Sequence, residues 1–226
     1  LKLAGSGMAI KALEKYLALR GAGDSKTMFT LGVTGSRAQC KSALALARGI
    51  ARRYGGVGTG TLLGKKWEHS RFRSPYLRHG LWEAGFVVDT MEIAAPWSTL
   101  PKIFNATREA MLKVPHARSS TCHLSHSYID GACLYFTFAA NPPTEEVEKT
   151  YVALWDAGTR AVLANGGNLS HHHGVGMNRS RFVREALGSA FGVLVAMKNS
   201  LDPQGILNPG KMGLPLPDYL EATQWP

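Results

Sequence analysis

Three consecutive histidines, His171, His172 and His173, are the residues of this chain most suited to chemistry. They lie in the stretch NLSHHHGVGMNRS, residues 168–180, directly before a Gly-Val-Gly turn. Imidazole titrates near neutral pH and the glycines allow a ligand close to the backbone, which favours a proton-handling site. A structural role, with the rings bonded to turns, is the alternative. If the run is extended, alternation places His171 and His173 on one face and His172 on the other.

A metal centre is the third interpretation of the histidine run. Side chains of three adjacent residues diverge, so they rarely ligate one tetrahedral ion, and no HExxH pattern accompanies them. We therefore expect no metal.

Three further features carry groups that could act with the histidines. Tyr128 lies in SHSYIDGA, near His126, at the predicted end of a hairpin, where a plain strand tyrosine is the alternative. Arg78 in SPYLRHG could hold an anion through its guanidinium fork, although a lone arginine is more often a surface residue. The turn-rich stretch LDPQGILNPGKMG carries a single lysine, Lys211, and by itself indicates only an irregular loop.

The elements that must position these residues follow from periodicity and from turn residues. Helical patterns occupy 8–21, 37–56, about 98–114, 141–167 (with Thr144 as N-cap) and 180–202. Strand patterns occupy 26–35 and 86–94, and 116–131 with 132–140 predict a hairpin. Residues 55–80 look irregular and are expected to form functional loops. This order predicts an α+β fold: a ferredoxin-like antiparallel sheet with helices on one face, plus a C-terminal helical extension. With no strong linker, residues 1–226 are expected to form one domain.

Charge and composition limit the classes of protein. The net charge is +10 with a pI near 9.7, but the basic residues are scattered and only residues 67–79 interleave them with aromatics. We expect no nucleic-acid partner; a solvated basic surface, a pocket for anions and a face normally covered by a partner domain remain open. Three cysteines without CxxC spacing, no secretory signal and no apolar run of roughly 18 residues predict a cytoplasmic protein.

Five stretches in order, SPYLRHG, MEIAAPWSTL, STCHLSHSYIDGACLYFTF, ANGGNLSHHHGVG and NSLDPQGILNPGKMG, together resemble a known family. They are similar to the C-terminal half of FAD-linked oxidases of the vanillyl-alcohol-oxidase superfamily. Within it, ANGGxLSHHHGVG combined with SYxxGACLYF resembles the alkyldihydroxyacetonephosphate synthase family. The resemblance covers nearly all of the chain from about residue 27.

The resemblance implies FAD as cofactor and a two-part protein. The chain would be the cap, or substrate, domain, its own N-terminal FAD-binding domain being absent from this sequence, and alone it would hold flavin poorly and be inactive. The implied reaction exchanges the acyl group of acyl-dihydroxyacetonephosphate, an anionic lipid precursor, for a fatty alcohol, without net redox change. Homodimerisation and peripheral membrane contact are further expectations.

The resemblance also implies roles for individual residues. Tyr128 and the histidines His171, His172 and His173 would transfer protons, and Arg78 would bind the anionic end of the substrate. Residues Asn208, Gly210 and Lys211 of the NPGK loop would approach the flavin, whereas Arg71 and Arg73 have no assigned role. The rival hypotheses are an FAD-linked oxidase or dehydrogenase of a hydroxy acid or alcohol, and a non-enzymatic basic binding module.

Overall fold

The computed structural model describes residues 7–23 and 27–220 of the chain. The chain divides between Pro75 and Tyr76 into two compact units. The expectation of one domain over residues 1–226 stays a prediction.

The first unit is helical where it has regular structure. It contains α1 (Gly7–Leu19), α2 (Arg37–Arg53) and α3 (Leu62–Ser70), and a 3-10 turn (Arg71–Tyr76) follows. Helix α2 begins at a capping box, in which Ser36 accepts from the backbone of Gln39 and the Gln39 side chain accepts from the backbone of Ser36.

Two predictions for residues up to 80 are wrong. The strand expected at 26–35 is not formed at 27–35, because an extended segment needs a partner strand and none of the described residues pairs with it. Residue 26 lies outside the described residues. The loop expected at 55–80 is irregular only through residue 61, where Gly55 and Gly60 have positive φ; beyond it the chain is helical.

The second unit is built on a three-stranded antiparallel sheet. After α4 (Leu77–Glu83) come β1 (Val87–Pro96), α5 (Leu100–Leu112), β2 (Ala117–Ser127), β3 (Gly131–Ala140), a 3-10 turn (Thr144–Glu146) and α6 (Val147–Ala164). The strand order is β1-β3-β2, with β3 central. Helices α5 and α6 pack against each other and the sheet. The α+β class, with helices on one face of an antiparallel sheet, is confirmed.

Alternation along the strands creates the core. Met91 of β1 and Cys122 of β2 both pair with Phe136 of β3, so every second side chain points toward the helices. The core of this unit contains Val87, Met91, Ile93, Leu100, Ile103, Met111, Leu134, Phe136, Phe138, Leu154, Trp155 and Val162 among others. The predicted strand 86–94 and the predicted hairpin are therefore confirmed within a few residues.

Two details of the predicted helices differ. Thr144 begins a 3-10 turn rather than capping α6, whose preceding residue Glu146 makes no side-chain cap. The long helix expected at 180–202 is interrupted, because Gly188 has φ 51° and ψ −126°, a conformation that ends a helix.

The C-terminal extension is thus a set of short elements. Helices α7 (Gly176–Ser180), α8 (Val183–Leu187) and α9 (Ala190–Leu201) precede a 3-10 turn (Lys211–Gly213). They enclose a second small core of Leu169, Phe182, Val183 and Phe191. Across the described part of the chain, no helix is both long and apolar enough to span a membrane.

Candidate functional site

The sheet face opposite the core carries the polar side chains. Glu92 of β1 and His123 of β2 both pair with Tyr135 of β3, out of phase with the core positions. The segment that follows α6 runs over this face, where Asn168 anchors it by accepting from the Ala94 amide and donating its own amide to the Ala94 carbonyl.

Glu92 holds the start of the histidine run. Its carboxylate is fully buried and accepts from the Ser170 hydroxyl and from the backbone amides of all three histidines, with N–O distances of 3.1 Å for His172 and 2.9 Å for His173. Successive amides of a strand point in opposite directions, so three that meet one carboxylate require a turn.

The three imidazoles, His171–His173, are called the histidine strip below. The ring of His171 lies 5.1 Å from that of His126 and 5.5 Å from that of Tyr128. His172 also contacts His126, at 5.0 Å, and His173 meets Tyr135 edge-on at 5.3 Å. The expected alternation of the three rings is wrong because the segment curls around Glu92 and is not extended.

Tyr128 and His171 are brought into direct contact. The phenolic oxygen lies 2.9 Å from His171 Nε2, and His171 Nδ1 lies 3.0 Å from His172 Nδ1. Tyr128 is half exposed, so it is accessible from solvent. Phenol and two imidazoles thus form a continuous series of proton donors and acceptors.

Burial and hydrogen bonds set the charges in this region. Burial raises the pKa of Glu92, but the bonds from Ser170 and the histidine amides outweigh it, and the net pKa lies below the ordinary value of 4.5. Burial lowers the pKa of His173, which favours a neutral ring. Burial likewise lowers the pKa of His123.

Arg78 belongs to a different cluster. Its Nη1 lies 3.2 Å from Asp89 Oδ1, and its guanidinium stacks 4.2 Å from the centre of the Trp82 ring. The hydroxyl of Tyr151 and the indole N–H of Trp155 both donate to Asp89 Oδ2, at 2.6 and 3.2 Å. Burial, followed by the hydrogen bond to Asp89, raises the pKa of Tyr151 to about 12. Asp89 lies on the core side of β1, whereas Glu92 lies on the opposite side.

Helix α7 contacts Glu92 directly and reaches the Asp89 cluster through Tyr151. Asn178 donates to the Tyr151 hydroxyl at 2.8 Å, and the next residue, Arg179, lies 3.6 Å from Glu92 Oε1. The buried guanidinium of Arg179 also donates to the carbonyl of Gly174, just after the histidines, and stacks 4.9 Å from Trp155.

An apolar cavity of about 620 Å³ opens beside the Tyr128–His171 contact. Both residues line it, together with Leu163, Val175, Val183, Ala186, Leu187 and Met212. Its lining also contains Asp130, which is exposed, and Asn168 and Ser170, whose side chains are already bonded to Ala94 and Glu92. A chain of methylene groups could therefore lie against apolar walls with its polar end at Tyr128 and His171.

The loop that is expected to approach the flavin follows a segment that is fixed by hydrogen bonds. Asp202 accepts from the amides of Ile206 and Leu207, and Lys198 binds Asp202 and the Leu207 carbonyl. Asn208 and Lys211 are exposed. Gly210 has φ 68°, a left-handed conformation that favours glycine, and an added Cβ would lie 2.6 Å from the Leu216 side chain, which would have to shift. The contact of Asn208, Gly210 and Lys211 with flavin stays a prediction.

Four groups could converge on a metal ion. Potential ligand atoms of His126, Cys133, His171 and His172 all lie within 4.8 Å of one another. Burial raises the pKa of the Cys133 thiol, which disfavours the thiolate that a metal requires. The expectation of no metal stays a prediction.

Three residues of these clusters were not predicted from the sequence: Glu92, Asp89 and Arg179. The signal for the first two was present, since a carboxylate inside the apolar strand FVVDTMEIA must find donors when it is buried. Arg179 gave no such signal, because its position in a short helix depends on the turn that precedes it.

Residues 6–212 match a family model described as FAD linked oxidases, C-terminal domain. An alkyldihydroxyacetonephosphate synthase of Trypanosoma brucei brucei is 28% identical over 220 residues, which cover 94% of this chain and 36% of that protein. An uncharacterized FAD-linked oxidoreductase of Escherichia coli (strain K12) is 33% identical over 129 residues, which cover 54% of this chain and 27% of the relative.

A solved structure of an alkyldihydroxyacetonephosphate synthase superposes on this chain with a TM-score of 0.57. The match covers 88% of this chain and 35% of that one at 20% identity, and therefore shows the fold alone. The chain spans about a third of the length of each of these synthases.

Proposed function

The chain belongs to the family of FAD linked oxidases, C-terminal domain, and from this premise we propose that it is the substrate domain of an alkyldihydroxyacetonephosphate synthase. The full-length enzyme would exchange the acyl group of acyl-dihydroxyacetonephosphate for a fatty alcohol. Its cofactor is FAD, as in the family.

One observation carries the proposal: the Tyr128–His171 contact lies in the wall of an apolar cavity. A lipid substrate needs both parts, an apolar space for its chain and proton-transfer groups at its polar end. The cavity volume, about 620 Å³, lies in the range of pockets that hold small organic ligands, about 300–1,000 Å³.

The histidine strip and Tyr128 would move the protons of the reaction. FAD, when bound, supplies the electron-accepting ring beside which the substrate reacts. Imidazole and phenol suit that neighbourhood, because a neutral imidazole can take a proton from a substrate carbon and the phenol O–H can donate one to a leaving oxygen. Their place on the exposed face of the sheet leaves them accessible to a partner domain.

Arg78 remains the proposed residue for the anionic end of the substrate. It is half exposed and one face of its guanidinium stacks on Trp82, so its outward N–H groups could donate to a phosphate. The pairing with Asp89 opposes this role, since an incoming anion must share the guanidinium with a carboxylate.

For the whole protein we also propose an N-terminal FAD-binding domain, a cytoplasmic location with contact at a membrane surface, and a homodimer. The length of the relatives supports the first, because each is about three times as long as the segment matched here.

An FAD-linked oxidase or dehydrogenase is the second candidate, favoured by the 33% identity to the bacterial oxidoreductase. A full-length protein would be incubated with acyl-dihydroxyacetonephosphate and a labelled long-chain alcohol. Incorporation of the alcohol without consumption of oxygen or reduction of an added dye supports the synthase. Turnover of a 2-hydroxy acid with dye reduction, and no incorporation, would replace it with the dehydrogenase.

A further inference from the structure

Glu92 is a fully buried acidic residue of the sheet. Its carboxylate has no exposed surface, and a buried carboxylate stays in a protein only when it is paired and hydrogen-bonded. A carboxylate offers about four acceptor positions. The Ser170 hydroxyl and the amides of the three histidines supply four donors.

The donors come from four consecutive residues, 170–173. An extended segment would send alternate amides away from the sheet, so the bonding of all three amides to one carboxylate requires a turn. That turn places all three rings over the side of the sheet where His126, Tyr128 and Tyr135 lie.

Arg179 places a positive charge next to the Glu92 carboxylate. Its guanidinium lies 3.6 Å from Glu92 and binds the carbonyl of Gly174, the residue that follows the strip. One cation therefore balances the carboxylate and fixes the exit of the same turn.

We propose that Glu92 is a positioning residue for the histidine strip: it holds the backbone of residues 170–173 in the turn that puts His171 against Tyr128. The catalytic consequence rests on the proposed function, whereas the backbone role does not. Glu92 acts through the backbone amides, and its carboxylate also lies 3.6 Å from His172 Nδ1 and 4.0 Å from His173 Nδ1; it need not touch the substrate.

The test uses the full-length protein and the variant Glu92→Gln, which keeps the shape and replaces one acceptor oxygen by a donor. Glu109→Gln is the matched control, since Glu109 is exposed and pairs with its helical neighbour Lys113. Hydrogen exchange followed by mass spectrometry reports the amides of residues 170–173, with β3 as an internal reference. Steady-state kinetics on acyl-dihydroxyacetonephosphate reports kcat and KM.

The expected result is slow exchange at residues 171–173 in the wild type and fast exchange there in Glu92→Gln, while β3 stays protected. We expect kcat to fall about 100-fold with a much smaller change in KM, as for the loss of a residue that orients a reacting group. Ser170→Ala, which removes one donor and leaves three amides, should lower kcat by less than about 10-fold.

Fast exchange at residues 171–173 in the wild type would overturn the proposal, and so would an unchanged kcat in a folded Glu92→Gln protein. Loss of protection in β3 would mean that Glu92→Gln does not fold. In that case the exchange of the wild type at residues 171–173 and the kcat of Ser170→Ala test the proposal. If the wild type shows no alcohol incorporation, the proposed function fails, but the exchange data still test Glu92.

Discussion

Replacing Tyr128 by phenylalanine removes a single oxygen atom, the one that lies 2.9 Å from His171 Nε2. Tyr128 is 51% exposed, so water can take over the hydrogen bond on the imidazole. The loss of stability should therefore be small, about 0.5 kcal/mol, at the low end for a single hydrogen bond. The flavin spectrum of the full-length protein should not change.

Activity should fall far more than stability. A positioned acid or base contributes about 100- to 10,000-fold, which corresponds to about 3–5 kcal/mol of activation free energy. The assay is kcat/KM for alcohol incorporation by the full-length enzyme. Tyr16→Phe is the control, because Tyr16 has a similar exposure, 42%, and lies in α1 of the other unit.

A double variant sharpens the test. If Tyr128 and His171 act as one unit, then adding His171→Gln to Tyr128→Phe should lower kcat/KM little further. Losses that multiply fully would refute the pairing as a functional unit. A kcat/KM of Tyr128→Phe within about threefold of the wild type would refute the role of the phenol altogether.

Three further outcomes are expected. Gly131→Ala should destabilise the protein by about 3 kcal/mol, because its Cβ would lie 2.3 Å from the Ala95 backbone oxygen; Gly158→Ala should cost only about 1 kcal/mol, since its Cβ meets the flexible end of Met111. Urea unfolding measures both, and equal losses would contradict the packing argument. Because the pKa of Glu92 is lowered by folding, its contribution to stability is present above about pH 4.5 and is lost as pH falls further; unfolding free energies measured down to about pH 3 should show a shallower fall in Glu92→Gln. Arg78→Met should raise KM for the anionic substrate at least about tenfold while changing stability by less than about 1 kcal/mol, because Arg78 is half exposed and the buried Asp89 keeps its bonds from Tyr151 and Trp155; an unchanged KM would remove Arg78 from the substrate site.

The sheet could be predicted from the sequence because its pattern is local. ACLYFTFAA alternates apolar and polar positions around Phe136 and Phe138, and Asp130-Gly131 marks the turn, so strand, face and hairpin follow from a dozen residues. The segment 26–35 has the same alternation but no partner strand among the described residues, and alternation cannot supply one.

The candidate site could be predicted only in part, for a related reason. Tyr128 and His171 are 43 residues apart, and their contact depends on a buried carboxylate in a third segment. An extended run predicts diverging histidine rings. The turn that brings them together depends on Glu92, and strand periodicity contains no information about that contact. The apolar cavity is lined in part by the short helix α8, which ends at Gly188. The helical pattern predicted one continuous helix over this region.

Helix α7 lies between the two polar clusters of β1. Asn178 and Arg179 are consecutive residues, and they reach Tyr151 of the Asp89 cluster and Glu92, whose side chains lie on opposite sides of the strand. A substitution that displaces α7 should therefore disturb the surroundings of Arg78 and the turn of the histidine strip together.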